Sequence, residues 1–435
     1  MTYRCGDCGY SSSKWMGFCP RCKSTEGLIE TRPEAKNKPV AAPTPVPLSK
    51  TNDSLVDRIA TGMAEVDRVL GGGLVPGGVV LVGGEPGVGK STLLLQLAGT
   101  LAGSGASTLI ASAEESTQQV GIRAKRLGID SDDISLLAED DVDAIIAAAI
   151  QYRPDLLVVD SIQTVGVSEV ASAPGAVAQV RESSARLIRA AKQNNISAVI
   201  VGHVTKDGGI AGPKLLEHMV DVVLYLEGET DRGFRTLHGL KNRYGPTHVV
   251  GLFEMGSEGL GEVADPSAVF VADWQGSVPG TLIFPAIQGR RAILVEVQAL
   301  TSTTSLPQPR RSVRGIDTAR VHQLLAVLAR HTGITFGDQD VYVNVVGGMK
   351  LTEPAADLAV ALALASSRLD RPLGALTGWG EIGLAGELRQ VPHAVRRSEE
   401  AGRMGLSHQI HPSGEGSPSR LLEALFAAGL RAPRH

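Results

Sequence analysis

Gly84-Glu85-Pro86-Gly87-Val88-Gly89-Lys90-Ser91 fits the pattern G-x-x-x-x-G-K-[ST] at every fixed position. Before it, Val79-Val80-Leu81-Val82 is a short apolar, β-branched run of the kind that forms a buried parallel strand. After it, Ser91-Thr92-Leu93-Leu94-Leu95-Gln96-Leu97 opens a helix. Strand, glycine loop and helix thus follow in the order a phosphate cradle needs. Glycines let successive backbone N–H groups face the anion, and the helix N-terminus adds the positive end of its dipole. Residues Gly84 through Thr92 are therefore expected to bind a nucleotide, with Lys90 neutralising β/γ charge and the Ser91 hydroxyl ligating Mg2+.

Such a loop serves kinases, GTPases and motors alike, so the polar residues at neighbouring strand ends must choose among them. Leu156-Leu157-Val158-Val159-Asp160 is an apolar strand ending in a carboxylate, which suits Asp160 to hold Mg2+ through its water shell opposite Ser91. Leu109-Ile110-Ala111-Ser112-Ala113 leads into Glu114 and Glu115, where a carboxylate can polarise water in line with a γ-phosphate. Glu114 is the first choice for that base and Glu115 the second. The strand Ala198–Val201 leads to His203, a candidate γ-phosphate sensor whose plain alternative is a surface histidine. With Thr108–Ala111 and Val220–Leu226, these strands alternate with helical patterns, which predicts an α/β fold with a mainly parallel sheet.

At 435 residues the chain is long enough for two or three domains. Its net charge of −4 creates no global field for nucleic acid, so DNA contacts must come from local basic segments. One is the glycine-rich loop bracketed by Lys206 and Lys214; another is the helix carrying Arg181, Arg186 and Arg189, which reads equally as a solvated face. Aromatics make up only 4% of residues, which leaves few rings for base stacking. The longest apolar run, near Leu358–Ala365, is too short to span a membrane, and no signal pattern opens the chain. A cytoplasmic protein is expected.

All four cysteines lie near the start. Cys5-x2-Cys8 and Cys19-x2-Cys22 form two knuckles suited to a structural Zn2+ site, closed by four thiolates. Disulfide pairing is the alternative, disfavoured in a reducing compartment. Trp15, Lys14 and Lys23 read either as a contact surface or as the module's own small core and solvated face. Pro33, Pro39, Pro43, Pro45 and Pro47 then mark a semi-rigid linker. The expected organisation is a zinc module at 1–30, a linker at 31–53, the ATPase domain at 54–262, and a second α/β domain without a phosphate loop at 263–435. In that last part Ala292–Leu300 and Asp340–Val346 read as strands, and Arg320–Arg330, Ala355–Ser367 and His393–Gly405 as helices.

Together these features resemble the bacterial RadA/Sms family of RecA-related ATPases. The resemblance rests on the cysteine module, the Gly84–Ser91 loop, Glu114-Glu115, Asp160 and Lys241-Asn242-Arg243-Tyr244-Gly245, similar to the family signature KNRFG with Tyr244 in place of Phe. It implies DNA repair and recombination, ATP and Mg2+ as ligands, binding of single-stranded and branched DNA, branch migration, and a hexameric ring. It also implies a recombinase or other repair protein as partner of the zinc module. Lys241 and Arg243, two apart at the end of the predicted strand Phe234–Leu240, share a face and by analogy reach a γ-phosphate in a neighbouring subunit. The C-terminal part resembles the protease domain of Lon. Ala355 stands where its serine nucleophile would be, and no lysine follows Lys350, so neither member of a Ser-Lys dyad is present. Arg310, Arg311 and Arg314 become candidate DNA contacts of that domain. A nucleotide-switched scaffold, a strand-exchange filament and a peptidase are the competing readings.

Overall fold

The computed structural model describes residues 2–26, 28–31, 57–203, 213–228 and 233–431, which leaves the expected linker, Lys206 and most of its glycine-rich loop outside the described residues. The chain divides into two compact units, Met1–Leu55 and Val56–His435.

In the first unit three short antiparallel strands, in the order Ser11–Ser12, Thr2–Cys5, Leu28–Thr31, frame the cysteines. Each knuckle closes by a backbone bond onto its first cysteine, from Gly9 N–H to Cys5 O and from Lys23 N–H to Cys19 O. The residue after each second cysteine is left-handed, Gly9 at φ 71° and Lys23 at φ 59°. That turn curls both thiols of a knuckle inward.

The second unit holds two sheets. The larger has nine strands in the order Gly259–Glu262, Val250–Gly256, Phe234–Asn242, Val222–Glu227, Val79–Gly84, Ser197–His203, Leu156–Asp160, Thr108–Ser112, Ile134–Ala138. From Val222–Glu227 to Ile134–Ala138 every pairing is parallel; beyond it, three strands form an antiparallel meander that the alternation of strands and helices did not predict. Val79–Gly84 is buried at every position because helices cover both faces. Val80 and Val82 pack with Leu93, Leu97 and Leu101 of the helix Lys90–Gly103, while Val79 and Leu81 pack on the opposite face with Leu187 of the helix Val177–Asn194. This two-sided α/β arrangement is a RecA-like core. It brings the C-terminal ends of Val79–Gly84, Thr108–Ser112, Leu156–Asp160 and Ser197–His203 to one edge, where ligands of open α/β sheets bind.

The smaller sheet runs Arg311–Arg314, Gln339–Val345, Arg291–Thr303, Thr281–Gln288, Leu376–Gly378, His408–Ile410. Its core helix begins as a single 3-10 turn, Pro354–Ala356, and continues as Asp357–Leu369, with Leu358 through Ser366 buried throughout. Alternating alanines at 359, 361, 363 and 365 thin this helix so that it fits among Val295, Val297, Leu324 and Leu328. Residue 262 ends the last strand of the large sheet, and the short helix Pro266–Phe270 follows it within the same compact unit. A buried carboxylate ties the two sheets together: Glu65, 1% exposed, receives Arg291 at 3.3 Å and the Leu252 N–H at 3.0 Å.

Candidate nucleotide and metal sites

The loop Gly84–Ser91 connects the central strand to its helix, as the strand and helix patterns require. Two glycines are needed, Gly84 for space and Gly89 for its left-handed backbone. A Cβ at Gly84 would lie 2.5 Å from Leu226 O, and one at Gly89 would lie 2.7 Å from Met255 Cε at φ 113°. Glu85, Pro86 and Gly87 are exposed, Val88 is buried, and Gly89, Ser91 and Thr92 are half-buried. Lys90 is 5% exposed and its ammonium donates to Gly84 O at 2.9 Å and Glu85 O at 3.0 Å, holding the loop curled. Burial lowers the Lys90 pKa, and the charges of Asp160 and Glu114 oppose that shift.

Those acidic groups meet at the same sheet edge. Ser112 pairs with Asp160 across adjacent parallel strands, so Asp160 and the turn carrying Glu114 and Glu115 are neighbours. Ser91, Asp160, Ser112, Glu115 and Arg123 line one small cavity. The two glutamates have different partners. Ser161 Oγ donates to Glu114, whereas Glu115 is ion-paired with Arg123 at 2.5 Å and its N–H bonds Ser112 Oγ. Ser161 and Arg123 were not singled out in the sequence, because a serine after a strand and an arginine on the helix Thr117–Arg126 carry no distinctive signal. His203 ends its strand opposite Gly84; its side chain lies outside the described part.

Lys241 and Arg243 lie elsewhere. Asn242 stands opposite Val222, and Val222 opposite Val80, which is about 13 Å of strand before Gly84. Lys241 Nζ donates to Glu217 O at 2.6 Å and Val220 O at 2.8 Å, and Arg243 pairs with Asp221 at 3.2 Å. Both cations thus converge on the turn before Val222, although a bulge between Gly239 and Lys241 interrupts the strand register. Burial and the charge of Arg243 lower the Lys241 pKa. Burial pushes the Asp221 carboxyl up, but Lys192, the Val79 N–H and Arg243 outweigh it and the net shift is downward. The rest of the motif is architectural. Asn242 is buried and donates to Leu70 O at 2.9 Å, Tyr244 O accepts from Arg58 at 2.5 Å, and Gly245 permits close approach to Gly71.

Among the other basic candidates, Arg181 is exposed, while Arg186 is held by Asp143, Glu169 and Glu182. Lys214 lies on the helix Pro213–Met219, its side chain outside the described part. Arg310 and Arg314 are exposed at the edge strand of the smaller sheet. Arg311 instead spends its guanidinium on the carbonyls of Arg310, Gln339 and Phe336. Ala355 is buried, and its carbonyl accepts from Gly380 N–H.

In the first unit Cys5, Cys8, Cys19 and Cys22 place all four sulfurs within 4.8 Å of one another. Cys5 and Cys22 are 3.6 Å apart and Cys8 and Cys19 3.5 Å, close to the roughly 3.8 Å edge of a sulfur tetrahedron around Zn2+. Burial raises the Cys19 thiol, but the N–H groups of Cys22 and Arg21 and the adjacent thiols bring it down to about 6. The Ser24 N–H favours a Cys22 thiolate, yet the neighbouring sulfurs, Cys8 foremost, push it up to about 12. Four thiolates so close need a cation, and the donor set fits Zn2+ with no position left for water. Cys19→Ser is expected to abolish stoichiometric zinc in purified protein; metal content unchanged by elemental analysis would contradict the four-thiolate site.

Residues 3–30 match a family profile described as a rubredoxin metal binding domain, and residues 44–209 match one described as an AAA domain. The chain is 47% identical over 419 residues to the DNA repair protein RadA of Halalkalibacterium halodurans, covering 94% of this chain and 92% of that relative. Identity to the DNA repair protein RadA of Bacillus subtilis is 46% over 419 residues, with the same coverage. To that of Pseudomonas aeruginosa it is 47% over 420 residues, covering 95% and 92%. An AAA-type ATPase domain therefore accompanies the zinc-binding cysteine cluster. No helix among the described residues is long and apolar enough to cross a membrane.

Proposed function

Because the chain belongs to the RadA family of DNA repair proteins, we propose that it is a ring-forming, DNA-dependent ATPase that binds single-stranded and branched DNA and drives branch migration. Supporting this reading is the separation between the phosphate loop and the Lys241/Arg243 pair. A pair one strand length from its own loop cannot serve the γ-phosphate bound there, whereas a neighbouring subunit's loop can be brought to it. Hydrolysis is then coupled to assembly, most simply in a hexameric ring.

Within one subunit Lys90 binds the β/γ oxygens, and Glu114, oriented by Ser161, takes the proton of the attacking water. Ser91 and Asp160 would hold Mg2+, which when bound would supply charge compensation on the phosphate oxygens. Arg181, Arg310 and Arg314 are the proposed backbone contacts for DNA, joined by Lys206 and Lys214; Arg311 is omitted because its guanidinium is engaged. The C-terminal part scaffolds the ring without peptidase chemistry, and the zinc module docks a recombinase or another repair protein.

ATP hydrolysis measured with and without single-stranded DNA tests the proposal. Stimulation by DNA that weakens steeply as salt rises is expected, since contacts to phosphates release counterions. A rate indifferent to DNA would replace the motor with a nucleotide-switched scaffold.

A further inference from the structure

Val88 and Gly89 share one peptide unit of the phosphate loop. In a trans peptide the C=O and N–H point in opposite directions, and Val88–Gly89 is trans. Whatever fixes the Val88 carbonyl outward therefore fixes the Gly89 N–H on the other side, where a phosphate cradle needs a donor.

That carbonyl is held by a guanidinium. Arg235, on the strand Phe234–Asn242, is 4% exposed, and its Nε donates to Val88 O at 3.1 Å. A second donor, Nη1, bonds Phe234 O at 2.8 Å and keeps the fork from rotating. The path of the side chain is also reserved: a Cβ at Gly228 would lie 2.3 Å from Arg235 Cδ and 2.8 Å from Phe234 O. Nothing in the sequence marked Arg235, because an arginine alternating along a strand reads as a solvent-facing charge.

We propose that Arg235 is a positioning residue for nucleotide binding, orienting the Val88–Gly89 peptide and polarising its N–H toward the β-phosphate. The inference rests on the reading of Gly84–Ser91 as the phosphate site. A charge-assisted bond to the carbonyl is about twice as strong as a neutral one, and a polarised amide is a better donor at its other end.

Titration calorimetry of the full chain with ADP tests this on wild type, Arg235→Ala, Gly228→Ala and Lys90→Ala. Arg235→Ala should weaken ADP about tenfold or more, as expected for loss of a hydrogen bond to a charged group. Guanidinium at a sub-denaturing concentration should restore part of that affinity, which a merely structural loss would not allow. Gly228→Ala, which crowds the guanidinium without removing it, should weaken ADP in the same direction; it decides the matter if Arg235→Ala does not fold. Wild-type ADP affinity in Gly228→Ala or in folded Arg235→Ala, or weakened binding that guanidinium leaves unchanged, overturns the inference. Lys90→Ala separates the two levels. If it also binds ADP normally, the phosphate-loop reading has failed; if it alone loses ADP, only the role of Arg235 has.

Discussion

Lys90→Ala is expected to lower ATP hydrolysis by about a thousandfold or more, because no other lysine occupies the loop and the transferring phosphoryl group would lack its main buried cation. The effect should be on chemistry and binding and not on folding alone. Lys90 closes the loop through Gly84 O and Glu85 O, so its loss frees two carbonyls, one of them on the exposed Glu85 that water can satisfy. A thermal melt beside the rate measurement separates the two effects. Lys241→Ala supplies the second half of the experiment. Its ammonium sits on Glu217 O and Val220 O, away from its own loop, so ADP affinity should survive while turnover falls. Mixing the two inactive variants should then restore some activity, because some interfaces would join an intact loop to an intact Lys241. No recovery on mixing, with both variants folded and assembled, would count against action between subunits.

Glu114→Gln should reduce turnover by about 10²–10³-fold while leaving nucleotide affinity nearly unchanged, the pattern of a lost general base. Glu115→Gln should cost less than about tenfold. The distinction comes from partners: Glu115 is tied to Arg123, whereas Glu114 is oriented by a serine hydroxyl beside Asp160. The ion pair ties the Glu115 carboxylate to the helix Thr117–Arg126, whereas the Ser161 hydroxyl holds Glu114 at the end of the strand that carries Asp160. Single-turnover hydrolysis together with ADP titration checks both variants. The opposite ranking would transfer the role to Glu115 and make its pair with Arg123 a resting-state contact.

The local features were legible in the sequence because their physics is local. A strand of β-branched residues, a glycine loop and a leucine-rich helix are consecutive, so the strand Val79–Gly84 and the helix Lys90–Gly103 follow from patterns within about twenty residues. Cysteine spacing likewise places two thiols on each knuckle before any fold is known. The antiparallel meander was not legible as such, since period-two alternation is common to parallel and antiparallel strands and only long-range pairing tells them apart. The helix predicted from Ala355 begins after a 3-10 turn, a detail of tertiary packing around Ala355 that residue preferences do not carry.

By itself the amino-acid sequence determined which groups are available to this protein: a glycine-rich loop ending in Lys90-Ser91, carboxylates at strand ends, and four cysteines in two knuckles. Tertiary structure alone decided which of those groups meet. It set Glu114 against Ser161 and Glu115 against Arg123, sent Lys241 and Arg243 to the turn before Val222, engaged Arg311 with three carbonyls, and brought Arg235 to the loop from a strand nearly 150 positions away. The reason is that residue type and spacing fix which interactions a side chain can make, while sheet order and register fix its neighbours, and register is settled by burial summed over the whole core.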